Sequence, residues 1–404
     1  MVASSLGPSQ LQQAGTWTGR PECGFAVLDY MIYLVNWHDI APEETDMNAP
    51  QHDGSGHSES ITVLGWDLGG VHVKVAAVFG GKLVAATQAP YQLRQGLGVL
   101  DGAFDALPEW ARAPAQHAVT MTGELSALFE NRGKGVEALT DWAVRHCRGE
   151  VTIYGGRAGF LSPERVAVHA GDVASANWHA TAAFVASRLP DALLIDIGST
   201  TSDLIPIEDG GIVSTGYTDA ERLGSGELVY TGVVRTPIMA LAERLPFAGR
   251  DVSLVAEHFA TVADVHRLLG TLPPAADQHD SADGRDKSLA ATRARLARVV
   301  GQDAAEAPDH VWDDLAAYLA ELQLRRLHDA AIHILSRRRH ARLPPIVGCG
   351  VGRFVAERLA VRMGLAYRDL AELVPASGGD KSYWVSSCAP AVTLACLTWT
   401  KFRK

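Results

Sequence analysis

A chain of 404 residues, 47% apolar and 20% charged, has an ordinary globular composition and is long enough for two or three domains. Its formal net charge of -10 argues against nucleic acid or an anionic membrane as the main partner, while leaving room for phosphate held locally by backbone amides or a metal ion. The five cysteines form no C-x-x-C pair, which disfavours a zinc site or a disulfide framework and fits buried thiols in a reducing, cytoplasmic setting.

Residues 1–58 are polar and rich in small side chains, a composition unsuited to a packed core. Met47 stands shortly before the first strong strand, so the stretch reads as a disordered or mis-called N-terminal extension. The apolar run at residues 25–37 carries Asp29 and is shorter than the roughly 20 residues a spanning helix needs; no membrane segment is expected. From residue 63, "VLGWDLGGVHVK" reads as a strand, an acid-and-glycine turn and a second strand, continuing to a hairpin at Gly80-Gly81. "HAVTMTGEL" is a strand ending in a polar turn that carries Thr122 and Glu124. A helix ("GVEALTDWAVRHC") and a strand ("EVTIYGG") follow, then an alanine-rich helix over about residues 172–189 that contains Asn177.

"DALLIDIGSTTSDLIPIEDGGIV" repeats the strand-turn-strand architecture, with a hairpin at Asp209-Gly210-Gly211. Arg222 and Glu227 flank Gly224 and Gly226 in a stretch expected to be a ligand-facing loop. Residues 273–287, which include Lys287, are a polar loop. Ser288 is placed to cap a helix that Gly301 ends, and a long helix is expected from about residue 311 to 340. "IVGCGVGRF" is a strand, a glycine turn with Gly348, Gly350 and Gly352, and the start of a helix. "CAPAVTLACLTWT" is a C-terminal helix apolar enough to be buried on most sides.

A glycine turn after a strand lets amide groups point into one small volume and bind anionic oxygens, to which hydroxyls add donors. Gly69 and Gly70 in the first turn, and Gly198, Ser199, Thr200 and Thr201 in the second, suit that task. Asp67 and Asp196 at the strand ends can hold a hydrated Mg²⁺ that bridges to phosphate, or take a proton from a nucleophile. The G-x-G-x-G spacing at residues 348–352, late in the chain, departs from a dinucleotide-binding fingerprint.

Two such phosphate loops with a late glycine turn resemble the sugar kinase, Hsp70 and actin superfamily. The resemblance implies an α/β fold of two ribonuclease H-like domains around a central cleft. It places the first domain at residues 59–190, with the C-terminal helix 385–400 returning to it, and the second at 191–384, with a helical insertion at about 235–340. Within that superfamily the segments "GWDLGGVHVKVA", "VTMTGEL", "DVASANWHATA", "IDIGSTTSDLIPI", "ERLGSGELVYTGVVRTP" and "ADGRDK" are similar to hydantoinase A/oxoprolinase-related proteins of tetrahydromethanopterin-linked one-carbon metabolism, among them the archaeal methanofuran synthases. The resemblance implies a transferase that joins an aminomethylfuran-methyl diphosphate to the phenol of a (glutamyl)tyramine, forming an ether and releasing pyrophosphate in methylofuran synthesis. The alternative is an ATP-dependent kinase or hydantoinase/oxoprolinase-type enzyme that keeps the same loops.

Under this reading Asp67, Asp196 and Glu124 are candidates for base or metal work, with Asp67 and Asp196 as the Mg²⁺ ligands. Gly69, Gly70, Lys74, Gly198, Ser199, Thr200, Thr201, Asp203, Gly348, Gly350 and Gly352 are candidates for the diphosphate or nucleotide, the last three as the purine-side turn. Thr122, Asn177, Arg222, Gly224 and Lys287 are candidates for substrate contact, and Asp380 and Lys381 for the cleft border. The partners expected are small molecules alone. Which acid does which job, whether ATP is used and the oligomeric state stay open.

Overall fold

A computed structural model describes residues 62–377 and 383–403. The extension at residues 1–58 with Met47, and Asp380 and Lys381, lie outside the described residues.

The first sheet has the order β3-β2-β1-β4-β5-β6, built from β1 (Thr62–Leu68), β2 (His72–Phe79), β3 (Lys82–Pro90), β4 (Gln116–Met121), β5 (Val151–Tyr154) and β6 (Phe160–Leu161). β1 pairs antiparallel with β2 and parallel with β4. The second sheet repeats the pattern. β7 (Ala192–Ile197) pairs antiparallel with β8 (Ser202–Glu208), which carries β9 (Gly211–Ile212) and β10 (Leu228–Val229). After a separate hairpin of β11 (Arg244–Phe247) and β12 (Arg250–Ser253), β13 (Ile346–Cys349) joins the other side of β7 in parallel, followed by β14 (Tyr367–Asp369). Each sheet thus opens with an antiparallel hairpin whose first strand continues on its other side into parallel strands, the α/β pattern expected of the two halves.

β1 and β7 are buried along nearly their whole length, as strands covered on both faces must be, which explains why both read as near-continuous apolar runs. One cover of β1 is the C-terminal helix Ala389–Phe402. It approaches so closely that a Cβ on Gly65 would fall 2.2 Å from the Ala391 carbonyl oxygen and 2.7 Å from the Ala395 nitrogen. Those obstacles are backbone atoms and cannot rotate away. Gly65→Ala is therefore expected to destabilise the protein by about 1–3 kcal/mol through overpacking, measured as a shifted urea midpoint at unchanged slope.

The alanine-rich segment differs from the single helix expected. It forms Ala170–Val173 and then Asn177–Ala186, interrupted at Ser175, whose φ of 54° is left-handed. The small side chains have the expected use: Ala176 and Ala180 pack in one cluster with Leu394 of the C-terminal helix. The stretch around Gly224 also departs from expectation. Thr218 and Glu221 form a reciprocal capping box that starts a helix at Asp219–Ser225, and Gly226 ends it in a left-handed cap. Gly224 thus lies inside a helix, exposed and facing open space, not in a turn. Ser288 caps Leu289–Val299 as its residue type predicts, and the long helix runs over Asp309–Leu335. Among the described residues no helix is long and apolar enough to cross a membrane, and Cys147, Cys349, Cys388 and Cys396 are free and buried.

Candidate functional site

The two hairpins carry their acids at equivalent places. Asp67 on β1 faces Lys74 on β2, and Asp196 on β7 faces Asp203 on β8. Directly opposed residues of an antiparallel pair share a face, so each acid meets the residue seven positions later. In the first hairpin the pair is an ion pair, with Lys74 Nζ 3.1 Å from Asp67 Oδ2. In the second it is two carboxylates, and the compensating cation is Arg222, with Nη2 2.8 Å from Asp203 Oδ1 and its guanidinium 4.2 Å over the Trp178 ring.

The hairpins meet at one cavity, lined by His72, Lys74 and Gln88 from the first sheet and by Asp196, Gly198, Ser199, Gly350 and Ser387 among others. Burial opposes charge on Lys74, yet Asp67 foremost and then Asp196 hold its ammonium above the ordinary value. Burial, with Asp203 and Asp67 adding repulsion against the pull of Lys74, pushes the Asp196 carboxyl up to about 7. Burial also raises Asp203, against the opposing effect of Arg222.

Each turn is closed by the same bond: Gly69 N–H donates to the His72 carbonyl at 3.0 Å, and Gly198 N–H to the Thr201 carbonyl at 2.9 Å. These two amides are engaged in turn closure, not offered to a ligand. The second turn presents the hydroxyls of Ser199 and Thr200, 3.4 Å apart. Residues 232–236 buttress it: Val233 N–H donates to the Gly198 carbonyl, and Val234 and Arg235 N–H to that of Ser199. A Cβ on Gly232 would lie 2.5 Å from backbone atoms of Ser199 and Thr200. The motif "GELVYTGVVRTP" is thus a support for the second turn. Arg235, which belongs to that motif but was not singled out within it, is exposed and donates to Thr200 Oγ1 at 3.3 Å.

Of the late glycines only Gly350 lines the cavity. Its φ is +82°, and a Cβ there would meet Asp196 Oδ1 at 2.4 Å. Gly348 is packed against Tyr367, and Gly352 against Ile197 and Val233, so their lack of a side chain is needed for close packing.

A second cluster lies beside the first turn. Gly123 is so close to it that a Cβ would be 3.1 Å from the Leu68 and Gly69 carbonyl oxygens. The adjoining Glu124 is buried, accepts from Ser175 Oγ at 2.8 Å through Oε1, and has no partner for Oε2. Burial raises its carboxyl to about 7, against the Ser175 hydrogen bond that lowers it. Ser175 also donates to Asp219 at 3.2 Å, and Asp219 pairs with Arg132. Sequence reasoning found Glu124 but missed Ser175, Asp219 and Arg132, because nothing in their local pattern marks a contact made across the fold.

The remaining candidates are placed differently. Thr122 is half-buried, with its N–H on the Leu68 carbonyl at 3.0 Å. Asn177 Oδ1 accepts from Trp178 N–H at 2.8 Å. Lys287 is engaged by Asp277, at 3.0 Å to the carboxylate and 2.6 Å to the carbonyl. Arg222 is 1% exposed and committed to Asp203, so it is a support of the site and not an open substrate contact. Arg222→Met is expected to cost about 3–5 kcal/mol by leaving Asp203 uncompensated, read by urea unfolding; adding Asp203→Asn should recover part of the loss.

Among the described residues, the one group of three metal-capable side chains within reach of a common ion is Asp191, Asp209 and His340, which are half-buried or exposed and away from the turns. Behind the cavity-lining Lys74, Asp67 Oδ1 is buried without a partner, and Asp196 on the lining stands near it as a second carboxylate. Mg²⁺ commonly takes one or two carboxylates and completes its shell with water and substrate phosphates. The donor set fits that ion.

The hydantoinase/oxoprolinase family matches residues 116–375. A (4-{4-[2-(gamma-L-glutamylamino)ethyl]phenoxymethyl}furan-2-yl)methanamine synthase from Methanocaldococcus jannaschii is 30% identical over 279 residues, 69% of this chain and 83% of its own length. The synthase of the same name from Methanococcus vannielii is 33% identical over 123 residues, 30% of this chain and 55% of its own. Among solved structures, the nucleotide-free acetone carboxylase, from work on ATP-dependent acetone carboxylation, has a TM-score of 0.52 at 10% identity, covering 83% of this chain and 70% of that one; that likeness bears on the fold alone. With the family match spanning more than half of the sequence, the chain belongs to the hydantoinase/oxoprolinase family.

Proposed function

We propose that the protein is a transferase of methanofuran-type cofactor synthesis, condensing an aminomethylfuran-methyl diphosphate with the phenol of a (glutamyl)tyramine. The observation that carries this reading is the M. jannaschii relative, whose name describes a furan methanamine joined through a phenoxymethyl ether to a glutamylaminoethyl arm. In the reaction the bond between the furfuryl carbon and the diphosphate oxygen breaks, and its electron pair leaves with pyrophosphate. The phenolic oxygen forms the new bond to that carbon and gives up its proton.

The residues suit these demands. The diphosphate lies against the second turn, where the Ser199 and Thr200 hydroxyls and Arg235 donate to it, and Lys74 faces the charge that develops on the leaving group. Asp67 and Asp196 would hold Mg²⁺, which when bound neutralises diphosphate charge. The phenol, with an ordinary pKa near 10, needs a base. Glu124 is that base: its unpartnered Oε2 is buried, its affinity for a proton is matched to neutral pH, and Ser175 fixes its other oxygen. Thr122 and Asn177 border the acceptor side.

The test is an assay of the full chain with a furfuryl diphosphate and a tyramine derivative without ATP, following pyrophosphate release and the ether product by mass. A strict need for ATP hydrolysis would overturn the reading in favour of the second one, an ATP-dependent kinase or hydantoinase/oxoprolinase-type reaction, which membership of that family favours.

A further inference from the structure

The wall of the cavity opposite the second turn has no role in the account above. His72 opens β2, is 6% exposed, and lines the cavity beside Lys74, Asp196 and Ser199. Its Nε2 has no hydrogen-bond partner. The His279 ring, from the loop that precedes the helix Leu289–Val299, meets the His72 ring at 4.6 Å between centroids and 65° between planes, and its Nε2 is also unpartnered. Beside them Gln88 Nε2 donates to Gln278 Oε1 at 2.7 Å, while Gln88 Oε1 is left unpartnered. A loop of the second half thus lies on the first hairpin, with Ala276 at the cavity and His279 against the cavity-lining His72, and leaves buried polar atoms on both unsatisfied. A buried polar atom without a partner is unfavourable, and a polar ligand can satisfy it.

The charges nearby identify the ligand's sign. Lys74, Arg235 and His279 act on His72, and Arg235 and Lys287 act on His279, all disfavouring the protonated rings, as burial does most of all. Opposing them are the Gln278 hydrogen bond at His72, and Asp280 and Asp277 at His279. A metal ion between the imidazoles would meet the same cations, whereas an anion reverses the balance and favours imidazolium. Two adjoining donors opposite a hydroxyl-rich turn suit an anion with oxygens at both ends.

We propose that His72 and His279 together form the second half of the diphosphate site, each donating through Nε2 to the phosphate distal to the turn and taking up protons as the diphosphate binds. The proposal rests on the function above only for the donor's organic group, since the chemistry recognised is the diphosphate itself. Its test is calorimetry of the full chain with inorganic pyrophosphate and Mg²⁺ near pH 7, in buffers of different ionisation enthalpy. Net proton uptake is expected, with affinity falling up to about tenfold per pH unit for each proton taken up. His72→Asn and His279→Asn, which keep a donor of similar size, are expected each to weaken pyrophosphate at least fivefold and together to abolish uptake, with thermal unfolding as the check on folding. His279 lies on the more exposed loop, so its variant keeps the test open should His72→Asn not fold. Uptake unchanged in the folded variants overturns the proposal, as does tight binding of Zn²⁺ alone that the variants lose. Proton-linked pyrophosphate binding with no ether product would leave the histidine site standing and remove the ether-forming reading.

Discussion

Replacing Lys74 with methionine is expected to lower kcat/KM for the diphosphate donor by about 10²–10³, the usual loss when one pre-placed donor to developing charge is removed. The effect should be large because Lys74 serves both hairpins. It is paired with Asp67 across β1 and β2 at 3.1 Å and is held charged by Asp196 from the facing hairpin as well. Without it the two carboxylates lose the one side-chain cation that serves both, and pyrophosphate adds further negative charge. Lys74→Arg should recover little, because a planar fork does not reproduce a compact ammonium set between carboxylates of two hairpins. Steady-state kinetics over both substrates make the check. Activity within about tenfold of the parent in a folded Lys74→Met variant would show that the leaving group is stabilised elsewhere.

Glu124→Gln is expected to lower kcat by about 10²–10⁴, the range for loss of a positioned general base. In the parent, activity should rise with pH through about 7, where Glu124 loses its proton; the variant should lack that limb. Stability should move the opposite way. The folded carboxyl is raised from 4.5 to about 7, so between these values the folded state binds more protons than the unfolded one. Its contribution is thus lost as pH rises through that window, to an extent on the order of 3 kcal/mol. At pH 8 the variant should melt no lower than the parent while being nearly inactive. A variant that loses stability and activity together would instead make Glu124 a structural support. Ser175→Ala provides a second readout: removing the hydrogen bond that lowers Glu124 should shift the activity limb to higher pH, which loss of packing alone does not do.

Much of the architecture was legible because it is local. β1 and β7 announce themselves as apolar runs ended by an acid and a glycine, and the helix at Leu289–Val299 by its serine cap. Errors fell where long-range contacts override local pattern. The alanine-rich helix breaks at Ser175, where the left-handed backbone accompanies a hydrogen bond from its hydroxyl to Glu124, 51 positions away in the chain. The stretch before Gly226 looked like a glycine loop, but its capping box makes a helix whose Arg222 turns inward to Asp203.

The chain's own sequence determined that two strands would each deliver an aspartate into a glycine turn, because strand period and turn chemistry act over a few residues. It also set the spacing that places Lys74 opposite Asp67 and Asp203 opposite Asp196. Only the tertiary structure decided that these hairpins share one cavity, that Arg222 supplies the cation the second hairpin lacks, and that His279 comes to rest on His72. Those pairings depend on how two sheets and a long loop pack, and residues far apart in the chain carry no local mark of which partner packing will bring them.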